Sequence, residues 1–305
     1  MTNQYDTAKR LRRIKWLALA LCVLSLLVVF ISAYVRLATA GYGCADWPAC
    51  YGQSLADKLN VHLGFARVLH RIGASSSLLL AFVLAWQALQ PQPLQPVSRR
   101  ATTLLVLMLF LAAVGLWSSD PHRSLVTLIN ILGGLALVSL AWQIASADGG
   151  KAPPVPRNVL LLPGRLALLA TMLMGGLIGA RYAATSCMSL PVCGEVAWPS
   201  GGFAALNPFV VITAALPAGD AGGVTLHLLH RYAALLTLLL LGGAAHVSMR
   251  YPATRKAAIA LLLLLAVELA LGALTVATGF GFWLAVGHSV TAALLLAAAT
   301  SLRRT

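Results

Sequence analysis

Three histidines lie inside long apolar stretches, where titratable side chains are uncommon. The tripeptide Leu-His-Arg occurs twice, placing His70 and His230 near the start of apolar runs, and His288 lies 58 residues after His230 in another such run. An ionisable residue within a membrane span is energetically costly and marks a functional site by default. Neutral imidazole is also the commonest protein ligand for metals. These three histidines are therefore the first candidates for chemistry.

A matched pair of histidines on two helices suits the axial positions of a haem iron. His230 and His288 are expected at similar depth, so they can face each other across a helix bundle, where cofactors are commonly held. The residue 60 positions after His70 is Asn130, a poorer iron ligand. Zinc is less suitable, because further Cys, His or carboxylate ligands are missing from the pattern. A hydrogen-bonded, purely structural histidine is the alternative at each position.

An arginine follows two of these histidines, as Arg71 and Arg231. Successive helical residues point about 100° apart, so neither arginine shares the direction of its histidine. Both can reach the outer water, where the propionates of a haem would also point, and a guanidinium binds a carboxylate through two parallel hydrogen bonds. Snorkelling to the membrane interface is the other interpretation.

Four of the five cysteines form two pairs with Cys-x5-Cys spacing, Cys44 with Cys50 and Cys187 with Cys193. Both pairs fall in segments expected outside the membrane, in an oxidising compartment, so we expect short-loop disulfides. A redox role is left open, since an exposed disulfide of this kind can be reducible.

Eight apolar runs must position these residues. The chain has 305 residues, of which 59% are hydrophobic and 10% charged, whereas soluble domains carry about 25% charged residues. A membrane-spanning helix needs about 20 apolar residues, and the alternation typical of membrane barrels is missing. We expect an all-α integral membrane protein with eight spans, at about 15–38, 63–90, 101–119, 123–146, 164–184, 223–249, 256–279 and 283–301.

The net charge of +14 is distributed in a way that indicates a membrane orientation and excludes nucleic acid as the partner. Basic residues precede the first span, follow each of spans two, four and six, and close the chain. This is the positive-inside pattern, so both termini are expected in the cytoplasm, in a bacterial inner membrane. The first span is expected to be retained rather than cleaved as a signal peptide.

The chain also reads as a repeat. Arg36 and Arg181 each stand at the outer end of a span, each is followed by a Cys-x5-Cys segment, and each segment leads to a helix with Leu-His-Arg. Matching polar features indicate two parallel four-helix bundles. We place them at residues 1–150 and 151–305, joined by a linker rich in Pro and Gly.

These features together resemble the haem A synthase family over nearly the whole chain. The resemblance rests on "GCADWPACYG" in the first outer loop, Leu-His-Arg on helices two and six, "LGALTVATGF" on helix seven and "GHSVTAALLL" on helix eight. It implies that the C-terminal half binds haem b through His230 and His288. It further implies that the N-terminal half oxidises a ring methyl of the substrate haem O to a formyl group, with His70 at the substrate iron. The Cys44–Cys50 pair is linked to function in that family.

The N-terminal half departs from the family pattern. Arg67 stands where the family has a glutamate, and Asn130 stands where it has a second histidine. These departures motivate an alternative: a non-catalytic haem-binding protein for haem delivery, oxidase assembly or electron transfer. The family resemblance implies haem O synthase and oxidase assembly factors as partners besides membrane lipid.

Glu268 lies in the middle of span seven. A carboxyl group at that depth is expected to be protonated or paired inside the protein. A structural hydrogen bond between helices and a proton-relay role are both open.

Overall fold

The computed structural model describes residues 2–42, 47–49, 51, 61–118, 120, 122–147, 157–193, 198–212 and 214–302. Eight of its helices are long and apolar enough to cross a membrane. The chain is therefore a multi-pass, all-α membrane protein, as the sequence predicts. The helices are α1 (Thr2–Thr39), α2 (Val61–Leu89), α3 (Val97–Trp117), α4 (Ser124–Ala145), α5 (Leu161–Ala180), α6 (Ala221–Ser248), α7 (Pro252–Ala277) and α8 (Phe282–Ser301).

Local sequence explains where several helices begin. The carboxylate of Asp220 accepts a hydrogen bond from the backbone N–H of Gly223 at 2.8 Å and so caps the start of α6. Pro252 occupies the first turn of α7, where its missing N–H costs nothing. Helix α1 begins about a dozen residues earlier than the apolar run suggests, because its basic N-terminal segment contains no helix-breaking Pro or Gly.

The eight helices pack as one connected body. Helix α1 contacts α2 and α4, and α3 contacts the same two helices; α5 contacts α6, α6 contacts α7, and α7 contacts α8. The two groups meet where α8 contacts α1 and α4, and where α4 contacts α5. The predicted division into two parallel bundles, with its boundary at residue 150, stays a prediction. Most of the proposed linker, residues 148–156, lies outside the described residues.

The main aliphatic core lies at one end of the helix bundle, the end at which α1 begins and α8 ends. All eight helices contribute buried side chains to this core, and its largest fully buried side chains are Ile14, Leu21, Leu84, Leu104, Ile144, Leu161, Leu241, Leu261 and Leu302. Close packing here anchors the helices against one another. The candidate histidines occupy the opposite half of their helices. Apolar packing therefore fixes the helices against one another at one end, and the polar candidate residues lie at the other.

Arg165 of α5 ties this core to the end of α8. Its Nε donates to the carbonyl of Ala299 at 3.0 Å, and its Nη2 donates to the carbonyls of Thr300, at 3.4 Å, and Leu302. The last carbonyls of a helix have no partner within the helix. The Arg165 guanidinium therefore caps α8 from a neighbouring helix.

We expect Arg165→Met to lower the free energy of unfolding by about 1.5–3 kcal/mol, the range for hydrogen bonds to a charged group. Reversible unfolding in detergent measures the change. Arg250→Met is the control, because Arg250 is exposed after α6. An equal effect of both substitutions would show that Arg165 does not act as a cap.

Candidate functional site

The structure brings the imidazoles of His230 on α6 and His288 on α8 close together. Their ring centroids are 6.3 Å apart and the ring planes cross at 86°. Metal–imidazole bonds are about 2.0–2.1 Å long, so two imidazoles on opposite sides of one metal have ring centres about 6 Å apart. The observed spacing suits two axial ligands of a single iron.

Nδ1 of each imidazole lies close to an oxygen atom of a neighbouring helix. His230 Nδ1 lies 2.9 Å from the carbonyl oxygen of Thr171 on α5 and can donate to it. His288 Nδ1 lies 3.2 Å from Oε1 of Glu268 on α7. Histidines that bind metals almost always engage their second nitrogen in this way, which fixes the tautomer and the ring orientation. The arrangement leaves Nε2 of both rings as the nitrogen for a metal.

The structure thus gives the mid-membrane Glu268 a partner. Its side chain is 15% exposed and that of His288 is 29% exposed, so both side chains are mostly buried. The contact is close but is not aligned as a hydrogen bond, and Oε2 of Glu268 has no hydrogen-bond partner among the described residues. Sequence reasoning identified the unusual carboxyl group but missed its partner, because a contact between α7 and α8 has no signature along the chain.

Two glycines make room for the rings. A Cβ atom added at Gly175 of α5 would lie 2.9 Å from Cε1 of His230, and one at Gly272 of α7 would lie 3.1 Å from Cε1 of His288. Each imidazole therefore lies against bare backbone of the helix that precedes its own. Together with the ring spacing, this cradle fits an iron porphyrin held between two imidazoles.

A metal at this position would need further ligands from a bound group. Within the ranges that the structure describes, no cluster of three or more His, Cys, Asp or Glu could hold a metal ion. A porphyrin supplies four nitrogen ligands in a plane, and two imidazoles complete the coordination of its iron. The ligand count is consistent with a haem.

The candidate residues of the N-terminal half, His70 and Asn130, are less closely associated with each other than His230 and His288 are. His70 is half-buried on α2, whereas Asn130 is exposed on α4. Among the residues that the structure describes, no hydrogen bond joins His70 and Asn130. Arg67 is exposed, and its Nη2 lies 3.5 Å from the hydroxyl of Thr39 at the end of α1. A shared substrate site at His70 and Asn130 stays a prediction.

The loop after α5 confirms one of the two expected disulfides, Cys187–Cys193. Arg231 fastens this loop to α6: its Nη1 donates to the carbonyl of Pro191 at 3.0 Å and lies 3.9 Å from Sγ of Cys193. Arg71, its counterpart on α2, is exposed. Propionate binding by either arginine stays a prediction. Cys44 and Cys50 lie outside the described residues.

His227, one turn before His230, has a structural role. Its side chain is buried, and its Nε2 lies 3.0 Å from the carbonyl of Ala183. This contact holds α6 against the segment that follows α5.

Comparison with known proteins identifies relatives over nearly the whole chain. A family model described as COX15-CtaA, cytochrome oxidase assembly protein, matches residues 15–60 and 65–300. The chain is 29% identical to the haem A synthase of Shewanella oneidensis over 321 residues, covering 93% of this chain and 94% of that protein. It is 32% identical to the haem A synthase of Symbiobacterium thermophilum over 140 residues, covering 46% and 44% of the two chains.

We expect Gly175→Ala and Gly272→Ala to weaken retention of an iron porphyrin by about tenfold each, because overpacking at a tight contact costs about 1–3 kcal/mol. Alanine favours helix over glycine, so the helices themselves should not weaken. The porphyrin content of the purified variants measures the effect.

Gly242→Ala is the matched control, since a Cβ at this helical glycine of α6 meets nothing within 4 Å. Equal porphyrin content in all three variants would contradict the assignment of a cradle to Gly175 and Gly272.

Proposed function

We propose, from the premise that this chain belongs to the COX15-CtaA family of cytochrome oxidase assembly proteins, that it acts in haem A biosynthesis. Its reaction is the oxidation of a ring methyl of haem O to a formyl group, and it is an oxidoreductase. Relatives of this chain are named haem A synthases. The observation that supports the proposal most strongly is the meeting of His230 and His288 at a spacing that suits one iron.

The resident cofactor in this proposal is haem b. His230 and His288 would bind its iron, Thr171 and Glu268 would orient the two imidazoles, and Gly175 and Gly272 would leave space for the rings. When bound, haem b supplies one-electron transfer. The carboxyl group of Glu268 beside Nδ1 of His288 would help to orient that ligand, a role typical of carboxyl groups in contact with ligating histidines.

The substrate in this proposal is haem O, bound in the half formed by α1–α4. In this proposal His70 would bind the substrate iron, and Asn130 would hydrogen-bond a further ligand of that iron. Arg71 and Arg231 contribute to the outer, carboxylate-facing side. The Cys187–Cys193 disulfide, held to α6 through Arg231, stiffens the loop over the second site.

The proposed setting is a bacterial inner membrane with both termini in the cytoplasm. The distribution of basic residues supports this orientation. Haem O synthase and oxidase assembly factors are the proposed protein partners, because the substrate is apolar and must arrive through the membrane.

A non-catalytic haem-binding protein is the second candidate. Two observations favour it: Asn130 is exposed on α4, and Arg67, in place of an acidic residue, contacts Thr39 on α1. Such a protein would keep the His230–His288 centre and serve haem delivery, oxidase assembly or electron transfer.

Extraction of haem from cells that make this protein together with a source of haem O tests the proposed function. We expect haem A in the extract, and its loss with His70→Ala. If the purified protein contains haem b and the cells contain no haem A, the binding protein is the correct assignment.

Substitution of the axial ligands tests the cofactor separately. We expect His230→Ala and His288→Ala each to abolish the low-spin haem spectrum of the purified protein. The control is His246→Ala, because His246 is exposed near the other end of α6. An unchanged spectrum in the first two variants would exclude the proposed ligation.

A further inference from the structure

A single arginine lies at the junction between the two groups of helices. Arg36, near the end of α1, is mostly buried. Its Nη1 lies against Gly179 of α5, where an added Cβ would come within 2.8 Å of it. Its Nη2 lies 3.5 Å from the hydroxyl of Ser289 on α8. The guanidinium therefore contacts α5 and α8, and Ser289 directly follows the candidate ligand His288.

Among the residues that the structure describes, no carboxylate forms an ion pair with Arg36. Removing an unpaired charge from water costs several kcal/mol. The contact with Ser289, at the upper limit of hydrogen-bond length, offsets little of that cost. A bound anion would compensate it.

Three phenols surround this charge. Tyr42, Tyr51 and Tyr182 all lie within electrostatic range of Arg36. Ring centroids are 5.2 Å apart for Tyr42 and Tyr51 and 5.9 Å apart for Tyr51 and Tyr182. Phe280 completes the cluster, with its ring 6.4 Å from that of Tyr42. The cluster joins residues from both halves of the chain above the outer ends of the helices.

The phenols are suited to donate hydrogen bonds. Burial raises the pKa of Tyr42 to about 12, and burial raises the pKa values of Tyr51 and Tyr182 as well, although Arg36 opposes each shift. A raised pKa keeps a phenol protonated at neutral pH, so all three retain their O–H groups. Tyr42 and Tyr51 share a side-chain hydrogen bond, so one of their two O–H groups is engaged within the pair. The other O–H group of the pair and that of Tyr182 can donate to a carboxylate beside the guanidinium.

The backbone around the cluster is also unusual. Tyr182 and Phe280 adopt the left-handed region, with φ of 52° and 67°. Bulky residues rarely adopt such angles, and strained residues of this kind concentrate at ligand sites. Both residues direct their rings into the cluster around Arg36.

We propose that Arg36, with the hydroxyls of Tyr42, Tyr51 and Tyr182, binds a propionate carboxylate of a porphyrin at the junction of α1, α5 and α8. The inference rests on the proposed function for the porphyrin itself. A guanidinium and a carboxylate can form two parallel hydrogen bonds, and the pair neutralises the buried charge. The carboxylate belongs either to the resident haem b or to the substrate haem O.

Binding of haem and its dimethyl ester tests this assignment. The protein is prepared in haem-poor cells and titrated with iron protoporphyrin IX or with the ester, in which both propionates are blocked. We expect wild-type protein to bind the acid at least tenfold more tightly than the ester, a difference typical of a charge-assisted hydrogen bond. Arg36→Gln should lose most of this preference and bind the ester as well as wild type does.

A second arm distinguishes the two sources of the carboxylate. Protein already loaded with haem b is titrated with haem O or its dimethyl ester. If Arg36→Gln loses the preference for the free acid over the ester in the first titration, the carboxylate belongs to the resident haem. If it loses that preference in the second titration, the carboxylate belongs to the substrate.

Arg181→Gln is the matched control, because Arg181 is the repeat counterpart of Arg36 but donates to the loop carbonyl of Asn207 at 2.9 Å. Arg36→Lys keeps the charge and should retain part of the preference. Ester binding by Arg36→Gln shows that the variant is folded. If the variant prefers the acid as wild type does in both arms, the Arg36 assignment is wrong and the proposed function stands. If wild type binds no haem at all, both proposals fail.

Discussion

Two imidazoles inside an apolar helix bundle need polar partners that fix their orientation, and these partners come from neighbouring helices. Thr171 offers a backbone carbonyl to His230, and Glu268 offers a carboxylate to His288. Nδ1 of His230 hydrogen-bonds to Thr171, and Nδ1 of His288 lies close to Glu268, so Nε2 of each ring is left for a metal. The proposed cofactor site depends on the orientation that these two contacts give the rings.

The rest of the molecule keeps that arrangement in place. The aliphatic core fills the half of the bundle in which α1 begins and α8 ends, where fully buried leucines and alanines from neighbouring helices pack together. The opposite half contains the imidazoles, the small residues beside them and the tyrosine cluster around Arg36. The apolar core and the candidate site are therefore separated along the helices: one end fixes the helices against one another, and the other end contains the candidate histidines.

Much of this was accessible from the sequence, because length, hydropathy and spacing are one-dimensional signals. Eight apolar runs predicted eight helices, and a Cys-x5-Cys spacing predicted the Cys187–Cys193 bridge. The similar depth expected for His230 and His288 predicted their proximity, since both lie in the first half of even-numbered helices that run in the same direction across the membrane.

Other features depend on which faces of the helices meet, and the sequence does not encode that directly. Gly175 and Gly272 are two of 26 glycines, and nothing along the chain marks them as the ones that touch a histidine. The same is true of Glu268, whose partner lies on the next helix. Arg36 looked like one of a repeated pair with Arg181, yet the structure gives the two arginines different surroundings: tyrosines for one, and a loop carbonyl for the other. The early start of α1 was missed because charged residues end an apolar run without ending a helix.

Low-temperature electron paramagnetic resonance of the oxidised, purified protein tests the central claim most directly. The near-perpendicular planes of His230 and His288 should give a highly anisotropic low-spin ferric signal, since crossed axial imidazoles leave the iron d orbitals nearly degenerate. A purely high-spin signal, or a protein that binds no iron porphyrin, would contradict the account.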